Sequence, residues 1–282
     1  MLRKNAYAKI NLFLEIVSKR PDGYHELDSV MAFVSLHDEI TLDASRADET
    51  RIELTCPSLD IPEEKNLAYR AAAAYLESAG IRAFVKIGIV KHIPSEAGLG
   101  GGSSDAACVL NLLQQEFGAL SDSELSRIAL RLGADVPFCM QERGCRARGV
   151  GEILTPLAEQ KKSETVLIVM GDDRVSTKEA YERTDGNSRG RILKDPADMI
   201  RAWNGGNRLS PYLFNRFEET VFGDHPGIGA VRDGLISLGA EGALMSGSGA
   251  AVFGLFDDPE KAKLAQKKFQ DRGFFAECCS IL

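Results

Sequence analysis

The feature that most restricts this chain is the run PSEAGLGGGSS at residues 94–104, where Gly98, Gly100, Gly101 and Gly102 fill four of five positions. Missing side chains let a backbone come close to another group. They also permit φ > 0, which turns successive N–H groups inward. RAFVKIGIVKHI (82–93), just before the run, alternates apolar and polar residues and predicts a strand. SSDAACVLNLLQQEFG (103–118), just after it, predicts a helix stopped at Gly118. A helix opened by Ser103 and Ser104 offers unpaired N–H groups and a positive dipole end, so an anion is favoured there and phosphate fits best. Two known phosphate patterns are excluded. A Walker loop needs Gly-Lys-Ser/Thr, and no lysine follows Gly102. The dinucleotide fingerprint needs a third glycine where Ser103 stands. A hinge or tight turn is the competing reading, and the sharp junction of strand, glycines and helix argues against it.

Around the run the pattern mixes strands and helices without strict alternation, which favours α+β layers over a doubly wound sheet. Strands are expected at 7–17, 30–36, 38–44, 51–56, 164–170 and 274–281, and a loop running into a strand at 242–256. Helices are expected at 66–80, 121–133, 258–273 and near 211–222 and 226–238. Ser121 and Glu124 form a capping-box pattern, and Asp258 with Pro259 marks another helix start. The polar, Gly/Asn-rich stretch 184–210 reads as a long connection. No repeat of 20–50 residues is present.

The chain has 282 residues, enough for one large or two ordinary domains. Its net charge of -7 argues against non-specific binding to nucleic acid or an anionic membrane, so an anionic substrate must be met by backbone N–H groups and a few placed lysines. The six cysteines show no zinc or disulfide spacing and read as reduced. With no secretory signal pattern and no apolar run of membrane-helix length, a cytoplasmic protein is expected.

Phosphoryl transfer needs positioning, charge neutralisation and a base near the acceptor hydroxyl. Asp135, in LGADVPF, is the best candidate base, although taken alone an aspartate there reads first as a turn or cap. Lys9 sits within the apolar AYAKINLFLEI, where a buried charge needs a partner; a lysine on the strand's solvated face is the alternative. Asn11 shares its face. Tyr24 and His25 follow the RPDG turn and are candidates to stack on and hydrogen-bond a base. His37, His92 and His225 show no metal or triad spacing and are read as structural. SGSGAA (246–251) is a second glycine-rich stretch, equally a phosphate approach or a loop before a core strand.

AYAKINLFLEI, PSEAGLGGGSSDAA and SGSGAAVF, in that order, resemble the three motifs of the GHMP kinase family and span almost the whole chain. The resemblance implies an α+β, two-domain fold: an ATP-binding domain at 1–155 with a left-handed βαβ unit, and a ferredoxin-like C-terminal domain at 156–282. It implies ATP and Mg²⁺ as cofactors, with the metal ligands unassigned. RPDGYHELDSV, LGADVPF and GVGEILTPL resemble the members whose acceptor is the 2-hydroxyl of a cytidine diphosphate-linked methylerythritol. A homoserine or mevalonate-type acceptor, or a nucleotide-binding module without catalysis, is the alternative. Asp135 matches the family's catalytic base and Lys9 its partner. Asn11, Tyr24 and His25 match positions that hold the substrate and its cytosine. Pro94, Ser95, Glu96, Ala97, Gly98, Leu99, Gly100, Gly101, Gly102, Ser103 and Ser104 match the ATP loop, with Asn66, Lys91 and Asp105 as supporting contacts. A monomer and a homodimer are both compatible. Glu96 departs from the pattern, standing where family members often carry glycine.

Overall fold

The computed structural model describes residues 1–58, 61–141, 143–161, 164–186 and 192–282. They form two compact units, each discontinuous in sequence. The first holds residues 1–8, 37–95 and 100–142; the second holds 9–36, 96–99 and 143–282.

In the first unit lie the start of β1 (Leu2–Lys19) and the end of β2 (His25–Arg46). Then come β3 (Arg51–Thr55), α1 (Leu67–Ala79), β4 (Ala83–Val90), α2 (Gly101–Phe117), α3 (Asp122–Leu132) and α4 (Val136–Cys139). β4 pairs antiparallel with β2 from Glu39↔Val90 to Arg46↔Ala83, and parallel with β3. The parallel pair is connected through α1, a βαβ unit. Ala83, Val85, Ile87 and Ile89 alternate inward along β4. They meet Ala68, Ala71, Ala72 and Tyr75 of α1 and Ala106, Ala107 and Leu110 of α2 in one core. Alanines at helical spacing keep both helices close to each other and to the sheet. Asn66 caps α1 by accepting from Ala68 N–H at 2.9 Å.

The capping box of α3 is complete: Ser121 Oγ accepts from Glu124 N–H, and Ser121 N–H donates to Glu124 Oε2 at 2.8 Å. Ser121→Ala is expected to cost about 1 kcal/mol, read from a urea melt. An unchanged midpoint would mean that the cap contributes nothing.

The second unit continues β1 and β2 and adds β5 (Cys145–Gly149), β6 (Ile153–Pro156), β7 (Thr165–Met170), α5 (Thr177–Gly186) and α6 (Ala197–Gly205). It ends with β8 (Phe214–Asn215), α7 (Glu218–Asp224), α8 (Pro226–Ser237), β9 (Gly242–Met245), β10 (Val252–Phe256), α9 (Pro259–Gln270) and β11 (Phe275–Ser280). β7, α8, β9, β10, α9 and β11 form a ferredoxin-like βαββαβ unit, with an antiparallel sheet in the order β11-β7-β10-β9. The two central strands explain their sequences: Val166–Met170 and Val252–Phe256 are continuously buried.

Four expectations are corrected. Segments 30–36 and 38–44 belong to one 22-residue strand, β2. No glycine or proline interrupts them, and the polar Asp38 at the expected break is buried with its carboxylate bonded. The helix after the glycine run starts at Gly101, inside the run, not at Ser103. The supposed connection 184–210 contains the end of α5 and all of α6, where Met199, Ala202 and Trp203 supply a buried face within polar composition; its residues 187–191 lie outside the described ones. The helix expected from 211 begins only at Glu218. Before it, Phe214 and Asn215 pair parallel with Phe13 and Leu14. Arg216 adds a bidentate ion pair to the buried Glu15, its Nε 2.7 Å from Oε1. That pairing overrides the local helical tendency.

Candidate active site

In the first unit the glycine run leads into the start of α2. Gly100 is its N-cap, with φ 70°, and has no side chain to cap with. Ser104 N–H makes the first intrahelical bond, to Gly100 O at 2.8 Å. The N–H groups of Gly101, Gly102 and Ser103 therefore precede the helical ladder, with no capping side chain. Ser104 itself is buried, donating its hydroxyl to Tyr7 O at 2.6 Å. Pro94 and Ser95 lead into the run, with Ser95 exposed.

Behind this turn lies a buried charge cluster. Lys91 Nζ donates to Asp105 Oδ2 at 2.8 Å and also to Asp38 Oδ2. Asp38, wholly buried, accepts from His92 N–H at 2.6 Å and Ile93 N–H at 2.8 Å through its other oxygen. Two backbone donors and an ammonium thus satisfy both oxygens of the Asp38 carboxylate. Asp105 accepts from Lys91 through Oδ2, while its Oδ1 is buried with no hydrogen-bond partner among the described residues. Burial pushes the Asp105 carboxyl well above the usual range, against the pull of Lys91. Burial also opposes the charge on Lys91, but the two carboxylates hold it above the usual lysine value. The cluster ties the end of β4 to the first turns of α2. A Cβ on Gly101 would lie 3.0 Å from Ile93 and 3.4 Å from Lys91 Nζ, so the loop follows it closely.

Asn66 is the buried cap of α1. Asp135 stands at the start of α4, half-buried, with helical φ and ψ and no capping bond from its side chain. The turn is there, but the carboxylate does not cap the helix it opens.

In the second unit, Lys9 is 4% exposed, which removes the solvated-face alternative. Its Nζ donates to Asn11 Oδ1 at 2.8 Å; Asn11 Nδ2 donates to Ser29 Oγ at 2.9 Å, and Ser29 Oγ to Phe13 O at 2.7 Å. Residues 96–99 of the glycine run lie against the SGSGAA loop. Lys9 N–H donates to Leu99 O at 2.9 Å, Ser246 Oγ to Gly98 O at 3.0 Å, and Ala251 N–H to Ala97 O at 3.1 Å. Asn215 Nδ2 anchors the loop through Met245 O at 2.7 Å and Gly247 O at 2.8 Å. Glu96 has φ 55°, the left-handed region where glycine costs least, and its side chain is exposed.

Tyr24 is 63% exposed, whereas His25 is buried. His25 stacks on Tyr181 of α5 at 4.4 Å, and its Nε2 lies 2.8 Å from Asp185 Oδ1. Asp38, Ser29, Asn215, Tyr181 and Asp185 were not singled out from sequence, whereas Ser246 falls in the SGSGAA stretch. Only Asp38 left a trace, a carboxylate inside an apolar strand pattern. Among the described residues no cluster of three or more His, Cys, Asp or Glu side chains could hold a metal, and no helix is long and apolar enough to cross a membrane.

The GHMP kinases N terminal domain matches residues 66–143, and the GHMP kinases C terminal domain matches residues 199–274. Together they cover more than half of the chain, so fold and loop define a GHMP-class small-molecule kinase. A Geobacter sp. (strain M21) protein named 4-diphosphocytidyl-2-C-methyl-D-erythritol kinase is 40% identical over 96% of this chain and 95% of its own. A Clostridium beijerinckii protein of the same name is 38% identical over 96% and 98%. A crystal structure of 4-(cytidine 5'-diphospho)-2C-methyl-D-erythritol kinase superposes with TM-score 0.85 at 37% identity, over 99% of both chains. The chain belongs to the 4-diphosphocytidyl-2-C-methyl-D-erythritol kinase family. A homoserine kinase from Cytophaga hutchinsonii, at 19% identity and TM-score 0.69 over 98% of this chain and 94% of its own, shares the fold.

Proposed function

We propose that this enzyme transfers the γ-phosphoryl group of ATP to the 2-hydroxyl of 4-diphosphocytidyl-2-C-methyl-D-erythritol, a step of non-mevalonate isoprenoid precursor synthesis. The observation that carries it is the α2 N-terminus, opened by a left-handed glycine with no capping side chain, so that Gly101, Gly102 and Ser103 offer their N–H groups to phosphate. The relatives' shared name supplies the acceptor. Residues 94–104 hold the triphosphate, and Lys91 and Asp105 brace the loop from behind. Asn66 supports it as the cap of α1. Mg²⁺ neutralises phosphate charge when bound and keeps several of its own waters, so a dedicated cage of side chains is not required. Glu96, exposed, need not face the phosphates. Asp135 takes the hydroxyl proton, assisted by Lys9. Asn11 orients Lys9, and Tyr24 and His25 hold the cytosine. The ATP-binding domain is placed at 1–155 and the C-terminal domain at 156–282.

ATP consumption with 4-diphosphocytidyl-2-C-methyl-D-erythritol, against homoserine and mevalonate, tests the reading. Turnover with the cytidylated acceptor alone is expected; preference for either of the others would refute it. Lys9→Met keeps the aliphatic stem and removes the charge. It is expected to lower kcat about 100-fold with KM for ATP little changed. A change confined to ATP affinity would make Lys9 a binding residue only.

A further inference from the structure

One face of α5 carries Thr177, Tyr181 and Asp185 at i, i+4 and i+8. Thr177 Oγ1 lies 2.9 Å from Ser248 Oγ in the SGSGAA loop. Tyr181 stacks on the His25 imidazole with the two planes 17° apart, and is itself backed edge-on by Phe217 at 4.9 Å. Stacking fixes the plane of the imidazole but leaves it free to turn within that plane. Asp185 removes that freedom: its Oδ1 is 2.8 Å from His25 Nε2, while its Oδ2 accepts from Lys19 Nζ at 2.7 Å.

An ionised carboxylate only accepts hydrogen bonds. Lys19 and His25 hold the Asp185 carboxyl below the usual range, against a burial effect that works the other way. The proton of a neutral His25 must then sit on Nε2, and Nδ1 is left with its lone pair. An acceptor at Nδ1 suits a donor on the ligand. Cytosine has such a donor in its exocyclic amine, where uracil has a carbonyl oxygen that would face the lone pair of Nδ1.

We propose that Asp185 is a positioning residue that fixes the Nε2–H tautomer of His25 and thereby makes the enzyme select cytidyl over uridyl acceptors. This rests on the reading that His25 holds the cytosine. The residues sit 160 apart in sequence, and it is the helical register of α5 that brings Asp185 to the imidazole.

Two measurements test it. Nitrogen-15 spectra of the nucleotide-free enzyme should show His25 protonated at Nε2, and a mixture of tautomers in Asp185→Leu. In the same variant the ratio of kcat/KM for the cytidyl acceptor over its uridyl analogue should fall about 10- to 100-fold, because one discriminating hydrogen bond is lost. Lys19→Met should leave that ratio unchanged. Nδ1 protonation in the unaltered enzyme, an unchanged ratio in Asp185→Leu, or an equal fall in Lys19→Met would each overturn the proposal. His25→Ala separates the two layers. If it leaves KM for the cytidyl acceptor unchanged, His25 does not hold the base and the selectivity claim falls with it. The nitrogen spectrum still decides whether Asp185 sets the tautomer.

Discussion

Asp135→Asn is expected to lower turnover about 1000-fold while ATP still binds. Positioned proton transfer contributes typically 10²–10⁴-fold, and an amide of the same shape cannot take the proton of an attacking hydroxyl. Asp135 lies just before Val136, Pro137 and Phe138, all buried, so the backbone that carries it is held by packing. The substitution should therefore change chemistry and leave the fold alone. Steady-state rates with the cytidylated acceptor give the loss, and calorimetry with a non-hydrolysable ATP analogue gives the binding. Near-normal turnover would remove Asp135 from the role of base. Equal losses of turnover and nucleotide affinity would point to a collapsed loop instead.

Gly98→Ala is expected to cost the protein roughly 2–5 kcal/mol, from a left-handed backbone plus a steric clash. Gly98 has φ 73°, and a Cβ there would come within 2.1 Å of Ser246 O and 3.0 Å of Gly249 O. Both are backbone atoms of a loop that Asn215 already anchors, so neither can yield cheaply. Gly102→Ala is the contrasting case. Its φ is not positive, and the nearest atom to an added Cβ is Leu67 Cδ1 at 3.5 Å, an ordinary contact. Paired urea melts should show a large loss for the first and little or none for the second. Equal midpoints would mean that the two loops separate easily, contrary to the hydrogen bonds between them.

Much of the fold was legible because its signals are local. The Ser121 and Glu124 box, the Asp258 cap and the alternation of β4 each involve residues within a few positions of one another. The glycine run was legible for the same reason, and so was the trouble at Glu96: a position that wants glycine takes a left-handed φ, and the glutamate pays for it in strain while its side chain stays in solvent. What could not be read is long-range. Phe214 and Asn215 join β1 from 201 residues away, and nothing in LFNRF announces a strand. Asp185 and Tyr181 sit in a polar segment with no motif, and only tertiary packing brings them to His25. Asp38 leaves a local signal, a carboxylate within an apolar strand pattern, but its pairing with Lys91 needs the β2–β4 register.

The chain of bonds from Lys9 through Asn11 and Ser29 to Phe13 O has an entropic consequence. A free lysine side chain surrenders about 1.5–2 kcal/mol of rotamer freedom when it is ordered. Here that surrender is made as β1 and β2 fold together, before any substrate arrives. If Lys9 assists transfer as proposed, its ammonium is ordered before the acceptor binds, and little reorganisation is left to the barrier itself.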